Sequence, residues 1–359
     1  MAATEQFVTD IHFEPLADGA TKLRFRIDGV LQDCSPLLPS NVWTKVLQRL
    51  KILAKMDTTQ IRRPADGHIV RRLPNGNNKD LRVASIPTRN GEKIVIRLFS
   101  GAERLFTIEE LDFFGDNKQN FRQLITRPHG LTIVTGPMNS GKTTTLYAAL
   151  NEINRPEISI AAVEDPTEIT LPGITQCEVS EKMSFADGLR GLLRMDCDSL
   201  LIGEIRDEET AQIAIRAALT GHRIFTSLHA GDCLGAMLRL ADLGATWSNI
   251  AAVLSGVVAQ RLVRRLCVKC RTKNSDGNFI PIGCDACNNT GYAGRVPLHE
   301  IFILTPDTRQ KISGCNGDSD KLKAVLSQNF VPIAADGAAK VKAGLTTVSE
   351  LHRALGVDL

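Results

Sequence analysis

Gly136, Pro137, Met138, Asn139, Ser140, Gly141, Lys142 and Thr143 have the types and spacing of a loop that cradles phosphates. The glycines let backbone amides turn inward, and the start of a following helix adds partial positive charge. Lys142 reaches the outer phosphates, and Thr143 can ligate magnesium. Carboxylates close two apolar runs: Glu164 and Asp165 stand before Pro166, and Glu204 ends the run 198–203. One of the first pair is placed to meet water or metal, and Glu204 has the layout of a carboxylate that holds magnesium through water. His222 and His229 flank a further apolar run, where a histidine beside a phosphate loop can sense a γ-phosphate. Cys267, Cys270, Cys284 and Cys287 form two CxxC pairs, a spacing that closes a tetrahedral thiolate site with zinc as its natural occupant. The segment between them carries Asn274, Asp276, Gly277, Asn278 and Pro281, buries little apolar surface and needs such a staple. No histidine lies within 267–287, so the metal reads as structural rather than catalytic.

These groups need elements to hold them. Apolar runs at 131–135, 158–163, 199–202 and 223–227 read as strands, with a helix over 143–153. Every motif of the nucleotide type falls just after one of the four runs. A wound, mostly parallel sheet binds ligands at the carboxyl ends of its strands, which gives all of them one shared site. The first hundred residues differ: short β-like runs at 10–13, 21–27, 80–86 and 93–99 surround one amphipathic helix over 42–56, a small α+β domain. The expected organisation is an N-terminal domain at 1–103, a linker at 104–120 and an α/β domain at 121–359, with the metal insertion at about 262–295.

Composition bounds the function. The chain has 359 residues, 43% hydrophobic and 23% charged, enough for two or three folded domains. Its 43 basic and 40 acidic residues leave a formal charge of +3, which gives no overall reason to expect nucleic acid as ligand. No run of about 18 apolar residues exists and the N-terminus lacks signal-peptide character, so the cytosol is the expected compartment. There the nine cysteines stay reduced; Cys34, Cys177, Cys197, Cys233 and Cys315 are scattered, and the paired four point to metal.

With these residues in place, the chain resembles the type II/IV secretion system ATPases over nearly its whole length. The segments 9–15 (TDIHFEP), 24–29 (RFRIDG) and 63–67 (RPADG) resemble that family's entry motif, its next strand and turn, and its proline-aspartate-glycine turn. Glu164, Asp165 and Pro166 correspond to its Asp box, 201–207 to its Walker B motif and 220–229 to its His box. The cysteine segment followed by 290–295 resembles the tetracysteine insertion of assembly-type members, which retraction-type members lack.

The resemblance implies a RecA-like P-loop NTPase domain behind a small N-terminal α+β (PAS-like) domain, with ATP, Mg2+ and Zn2+ as cofactors. It also implies a homo-hexamer with nucleotide between neighbouring subunits, powering pilus or pseudopilus assembly or protein secretion. Arg82 and Arg97 then match the strands that carry arginine fingers, Glu164 orients or deprotonates the attacking water, Glu204 holds magnesium, and His229 reports the γ-phosphate. The partners are an inner-membrane platform protein and other machinery components, and the location is cytoplasmic, peripheral at the inner membrane. Three departures stand out: about ten residues precede Asp10, too few for the family's usual extra docking domain, so docking is expected to be indirect or lost. The cysteine spacer is short, and Met138 and Asn139 stand where Thr-Gly is usual. One rival is a nucleic-acid translocating RecA-like ATPase, motivated by Arg261, Arg264, Arg265, Lys269 and Arg271 near the metal. Another is a scaffold that binds ATP only to assemble; the complete acidic set speaks against it.

Overall fold

The computed structural model describes residues 8–33, 36–59, 63–72, 78–98, 105–275, 277–327 and 330–356. Cys34, Phe99, residue 104 and Asp276 lie outside them. The chain forms two compact units: Met1–Gly101 with Cys267–Cys270 and Ile282–Gly294, and Ala102–Leu266 with Arg271–Pro281 and Arg295–Leu359.

The first unit is built on strands β1 (Val8–Pro15), β2 (Thr21–Ile27), β3 (Val30–Asp33), β4 (Ala65–Arg72), β5 (Asn78–Thr88) and β6 (Gly91–Leu98), with helix α1 (Ser40–Leu53) after β3. The sheet order is β3-β2-β1-β6-β5-β4, antiparallel throughout. Alternation decides its two faces. Val83, Ile94 and Ile96 are buried with Ile11 and Phe13 against α1, where Phe13 stacks on Trp43 at 5.0 Å. The opposite face is charged. Asp10 takes Arg97 at 3.0 Å and Arg26 at 3.5 Å, while Glu14 takes Arg24 at 2.6 Å and Lys93 at 2.7 Å. The 63–67 segment differs from the turn expected for it, because Ala65–Arg72 is strand. Gly67 is required by close approach rather than by a turn: a Cβ there would lie 2.2 Å from the Ala54 carbonyl oxygen.

The second unit opens with a 3-10 turn at Ile108–Leu111, inside the stretch read as a linker, whose Ile108 and Leu111 are buried with Phe121 and Leu124. There follow α2 (Asn117–Ile125), β7 (Gly130–Thr135), α3 (Lys142–Ile153), β8 (Ile160–Glu164), β9 (Thr175–Glu178), α4 (Phe185–Leu192), β10 (Ser199–Ile202), α5 (Glu208–Leu219), β11 (Arg223–Leu228), α6 (Cys233–Asp242), α7 (Trp247–Val253) and β12 (Leu254–Leu266). A two-stranded hairpin, β13 (Thr272–Lys273) and β14 (Phe279–Ile280), precedes β15 (Tyr292–Ile303), α8 (Pro306–Cys315), α9 (Ser319–Leu326), α10 (Ile333–Lys342) and α11 (Val348–Leu355).

The large sheet runs β15-β12-β7-β11-β10-β8-β9, with parallel pairing from β12 through β9. Its middle strands β7, β8 and β10 are buried at every residue, as parallel strands covered on both faces must be. One face packs on α4 to α7 and the other on α2 and α3. Among the described residues no helix is long and apolar enough to cross a membrane.

Candidate functional site

Because β7, β8, β10 and β11 are parallel and in register, the residues that follow each of them gather at one edge of the sheet. Gly136 leaves β7 with φ 155°, and a Cβ there would meet the Gln260 carbonyl oxygen at 2.4 Å and Ser140 Oγ at 2.5 Å. Gly141 caps the helix that follows in the left-handed conformation, φ 88°. Asn139 also has positive φ, 61°. Among side-chain-bearing residues asparagine tolerates that region best, which suits it to this position. A buried glutamine sets the loop's shape: Gln260 Nε2 donates to the Ser140 carbonyl at 2.7 Å, and Gln260 Oε1 accepts from Thr145 Oγ1 at 2.7 Å.

Lys142 begins α3 and turns its ammonium into the loop, donating to the carbonyls of Gly136 and Pro137 at 3.0 Å each. Burial, with repulsion from Arg261, pushes its pKa down to about 8. It lies 3.5 Å from His229 Nδ1, and His229 Nε2 lies 3.0 Å from Glu204 Oε2. Lysine only donates and carboxylate only accepts, so the imidazole between them carries its proton on Nε2. Burial and the charges of Lys142 and Arg206 hold its pKa below the usual value, consistent with a neutral ring.

Glu164 ends β8 and is 3% exposed. Its Oε2 accepts from the Tyr147 hydroxyl and its Oε1 from Gln176 Nε2 at 2.9 Å. Burial raises its pKa while both donors oppose the rise. Asp165 points outward to Arg206 Nη1 at 3.0 Å, and the same guanidinium pairs with Glu204 and lies 5.7 Å from the Phe185 ring centroid. The Glu168 amide donates to the Tyr147 hydroxyl at 3.1 Å.

Lys142, Thr143, Glu164, Glu204 and His229 therefore all lie at this edge. His222 does not: it precedes β11, with its carbonyl bonded to the Gly130 amide at the far end of β7. Arg82 and Arg97 belong to the first unit, where they face each other across the β5–β6 pair. Tyr147, Gln176 and Gln260 carry no motif of their own, whereas Arg206 lies within the segment 201–207. Of the first three, only Tyr147 left a signal in the sequence, one helical turn beyond Thr143 and so on the same face.

Cys267, Cys270, Cys284 and Cys287 come together with all four sulfur atoms within 4.8 Å of one another. The separations 4.0 Å (Cys267–Cys284), 3.7 Å (Cys270–Cys287) and 3.8 Å (Cys284–Cys287) are too long for disulfides. They match the edge of a sulfur tetrahedron around a metal at about 2.3 Å, which is about 3.8 Å. Burial opposes ionisation of Cys287, but the amides of Cys284 and Gly291, each 3.2 Å from its sulfur, help bring its pKa down to about 7. Asn288 and Asn289 make the left-handed turn that closes this knuckle, φ 49° and 58°.

Residues 1–353 match the family described as Type II/IV secretion system protein. The chain belongs to this family. Type II secretion system protein HxcR of Pseudomonas aeruginosa is 40% identical over 354 residues, covering 98% of this chain and 74% of that protein. Type II secretion system ATPase E of Vibrio cholerae is 39% identical over 370 residues, 98% and 73% of the two chains. Among solved structures, the ATPase DotB of Legionella pneumophila superposes with a TM-score of 0.73 at 20% identity, over 96% of this chain and 90% of that one. The pilus retraction motor PilT with bound ADP gives 0.63 at 24%, over 98% and 94%. These two share the fold of this chain over nearly its whole length.

Proposed function

We propose that the chain is an ATP-hydrolysing motor subunit of a type II secretion or type IV pilus assembly machine, acting as a homo-hexamer. The observation that carries this reading is the convergence of Lys142, Thr143, Glu164, Glu204 and His229 at one sheet edge. The second unit is read as RecA-like and the first as PAS-like. ATP lays its phosphates in the loop Gly136–Gly141 under the N-terminus of α3, where Lys142 exchanges the loop carbonyls for phosphate oxygens. Thr143, and Glu204 through water, are the residues that hold magnesium, which neutralises charge on the phosphates when bound. Glu164 orients or deprotonates the attacking water, and His229 links the phosphate side to Glu204. Arg82 and Arg97 are read as fingers that stabilise the transferring phosphoryl group. The four cysteines suit zinc, and its role is structural because all four positions are thiolates.

The docking of this motor is read as a protein contact at the inner membrane, on a platform component of the machine. The nucleic-acid alternative loses its motivation, since the arginines that prompted it have partners. Arg264 is bound to Glu350, Arg265 to Asp112, Arg261 to the Gly231 carbonyl and Arg271 to the Gly344 carbonyl.

The test is Lys142→Ala. Its turnover is expected to fall by about 10²-fold or more with the fold intact, because its charge stabilises a phosphoryl group that nothing else in the loop neutralises. A folded, assembled variant with undiminished ATP hydrolysis rejects the proposal.

A further inference from the structure

We propose that Tyr147, seconded by Gln176, is a positioning residue that fixes the Glu164 carboxylate for hydrolysis. This rests on the reading of Glu164 given above. Tyr147 is 2% exposed and sits on α3, the helix whose first turn carries Lys142 and Thr143. Residues four apart share a helix face, so Tyr147 stands one turn below Thr143 on the side that meets the end of β8. Its hydroxyl donates to Glu164 Oε2 and accepts the Glu168 amide at 3.1 Å. A buried tyrosine needs one partner for its hydroxyl; this one has two, one at the end of β8 and one in the segment after it.

Gln176, on β9, completes the grip from the other side. Its Nε2 donates to Glu164 Oε1 at 2.9 Å and to the Ile169 carbonyl at 3.0 Å, while its Oε1 accepts the Leu171 amide at 2.7 Å. Each carboxylate oxygen is thus held by one donor and keeps a lone pair for water. The carboxylate cannot rotate, and its distance from the phosphate loop is set by one rigid helix, of which eight residues are buried.

The same two donors set the charge. The other ionisable groups near Glu164 are Glu178 across the β8–β9 pair and Glu168, both acidic, so neighbouring charge and burial alike favour the protonated acid. Tyr147 and Gln176 oppose this by donating to the ionised carboxylate, the form able to take a proton from water.

The experiment measures kcat against pH for the full-length assembled protein and for Tyr147→Phe, Gln176→Leu and Glu164→Gln, with the affinity for a non-hydrolysable ATP analogue measured in parallel. Removing one donor from a buried carboxylate raises its pKa. The acid limb of Tyr147→Phe is therefore expected to move up by about 1 to 2 pH units, with recovery at higher pH and affinity within about twofold. Gln176→Leu is expected to shift the same way, and it decides the matter should Tyr147→Phe fail to fold. A limb that does not move, or a loss of kcat equal at every pH, overturns the proposal. Full activity in Glu164→Gln overturns the reading of Glu164 instead.

Discussion

Replacing Glu350 by glutamine is expected to unseat the C-terminal helix without touching the nucleotide loop. Glu350 is 1% exposed. It accepts from the Arg264 amide at 2.9 Å, from Arg264 Nε and Nη2 at 3.0 and 2.7 Å, and from Arg353 Nε and Nη2 at 3.0 and 2.7 Å. Burial opposes ionisation, yet Arg353 and Arg264 hold its pKa at about 2, against 4.5 for a free glutamate. The shift corresponds to about 3 kcal/mol of folding stability, present above about pH 4.5 and lost as pH falls toward 2. Glutamine keeps the size but takes away the negative charge that faces the Arg353 and Arg264 guanidiniums, the latter with 19% side-chain exposure. The expected cost is therefore about 3 to 5 kcal/mol, or about 10 °C in Tm for a unit of this size. Calorimetry at pH 7 and near pH 3 checks the number: the gap between the two proteins should narrow by about 2 kcal/mol in acid, where Glu350 of the unfolded chain is already protonated. An unchanged Tm, or a gap that does not depend on pH, refutes the reasoning.

Elemental analysis of protein purified without chelator should find one zinc per chain, and Cys270→Ser should lose it. That variant is expected to open residues 267–294 to protease while nucleotide binding persists, since zinc contributes about 10 to 16 kcal/mol of apparent binding free energy to such sites. Arg82→Ala and Arg97→Ala should each lower kcat by about 10³-fold with little change in ATP affinity, the mark of a group that acts only on the transferring phosphoryl. Near-normal rates for both, at concentrations where the unmutated protein is assembled, would remove the arginines from the mechanism.

The strands that carry the site were readable because burial on both faces leaves short runs that are mostly apolar and β-branched. The runs at 131–135, 199–202 and 223–227 fall within a residue of β7, β10 and β11, and 158–163 overlaps β8. β12 was not read as a strand, since Ser255 and Gly256 break its apolar run and its second half carries Arg261, Arg264 and Arg265. Those arginines find partners that only the tertiary structure supplies. Gly67 misled in the other direction, because a glycine needed for close approach to Ala54 has the same letter as one needed for a turn. In the site, groups with a charge or a metal-ligand spacing announced themselves. Tyr147, Gln176 and Gln260 act through hydrogen bonds to residues 17, 12 and 120 positions away, and no local pattern encodes a partner at such distances.

The bridge that Gln260 makes from Ser140 to Thr145 also has a meaning for biosynthesis. Gln260 lies on β12, the neighbour of β7, yet it is translated 120 residues after the carbonyl it binds. A nascent chain that has not extruded β12 owns the glycines and the lysine of the loop but leaves one side of β7 unpaired and the loop unbridged. The hydrogen-bond frame of the phosphate loop is therefore complete only once residue 260 has been made and β12 has paired with β7.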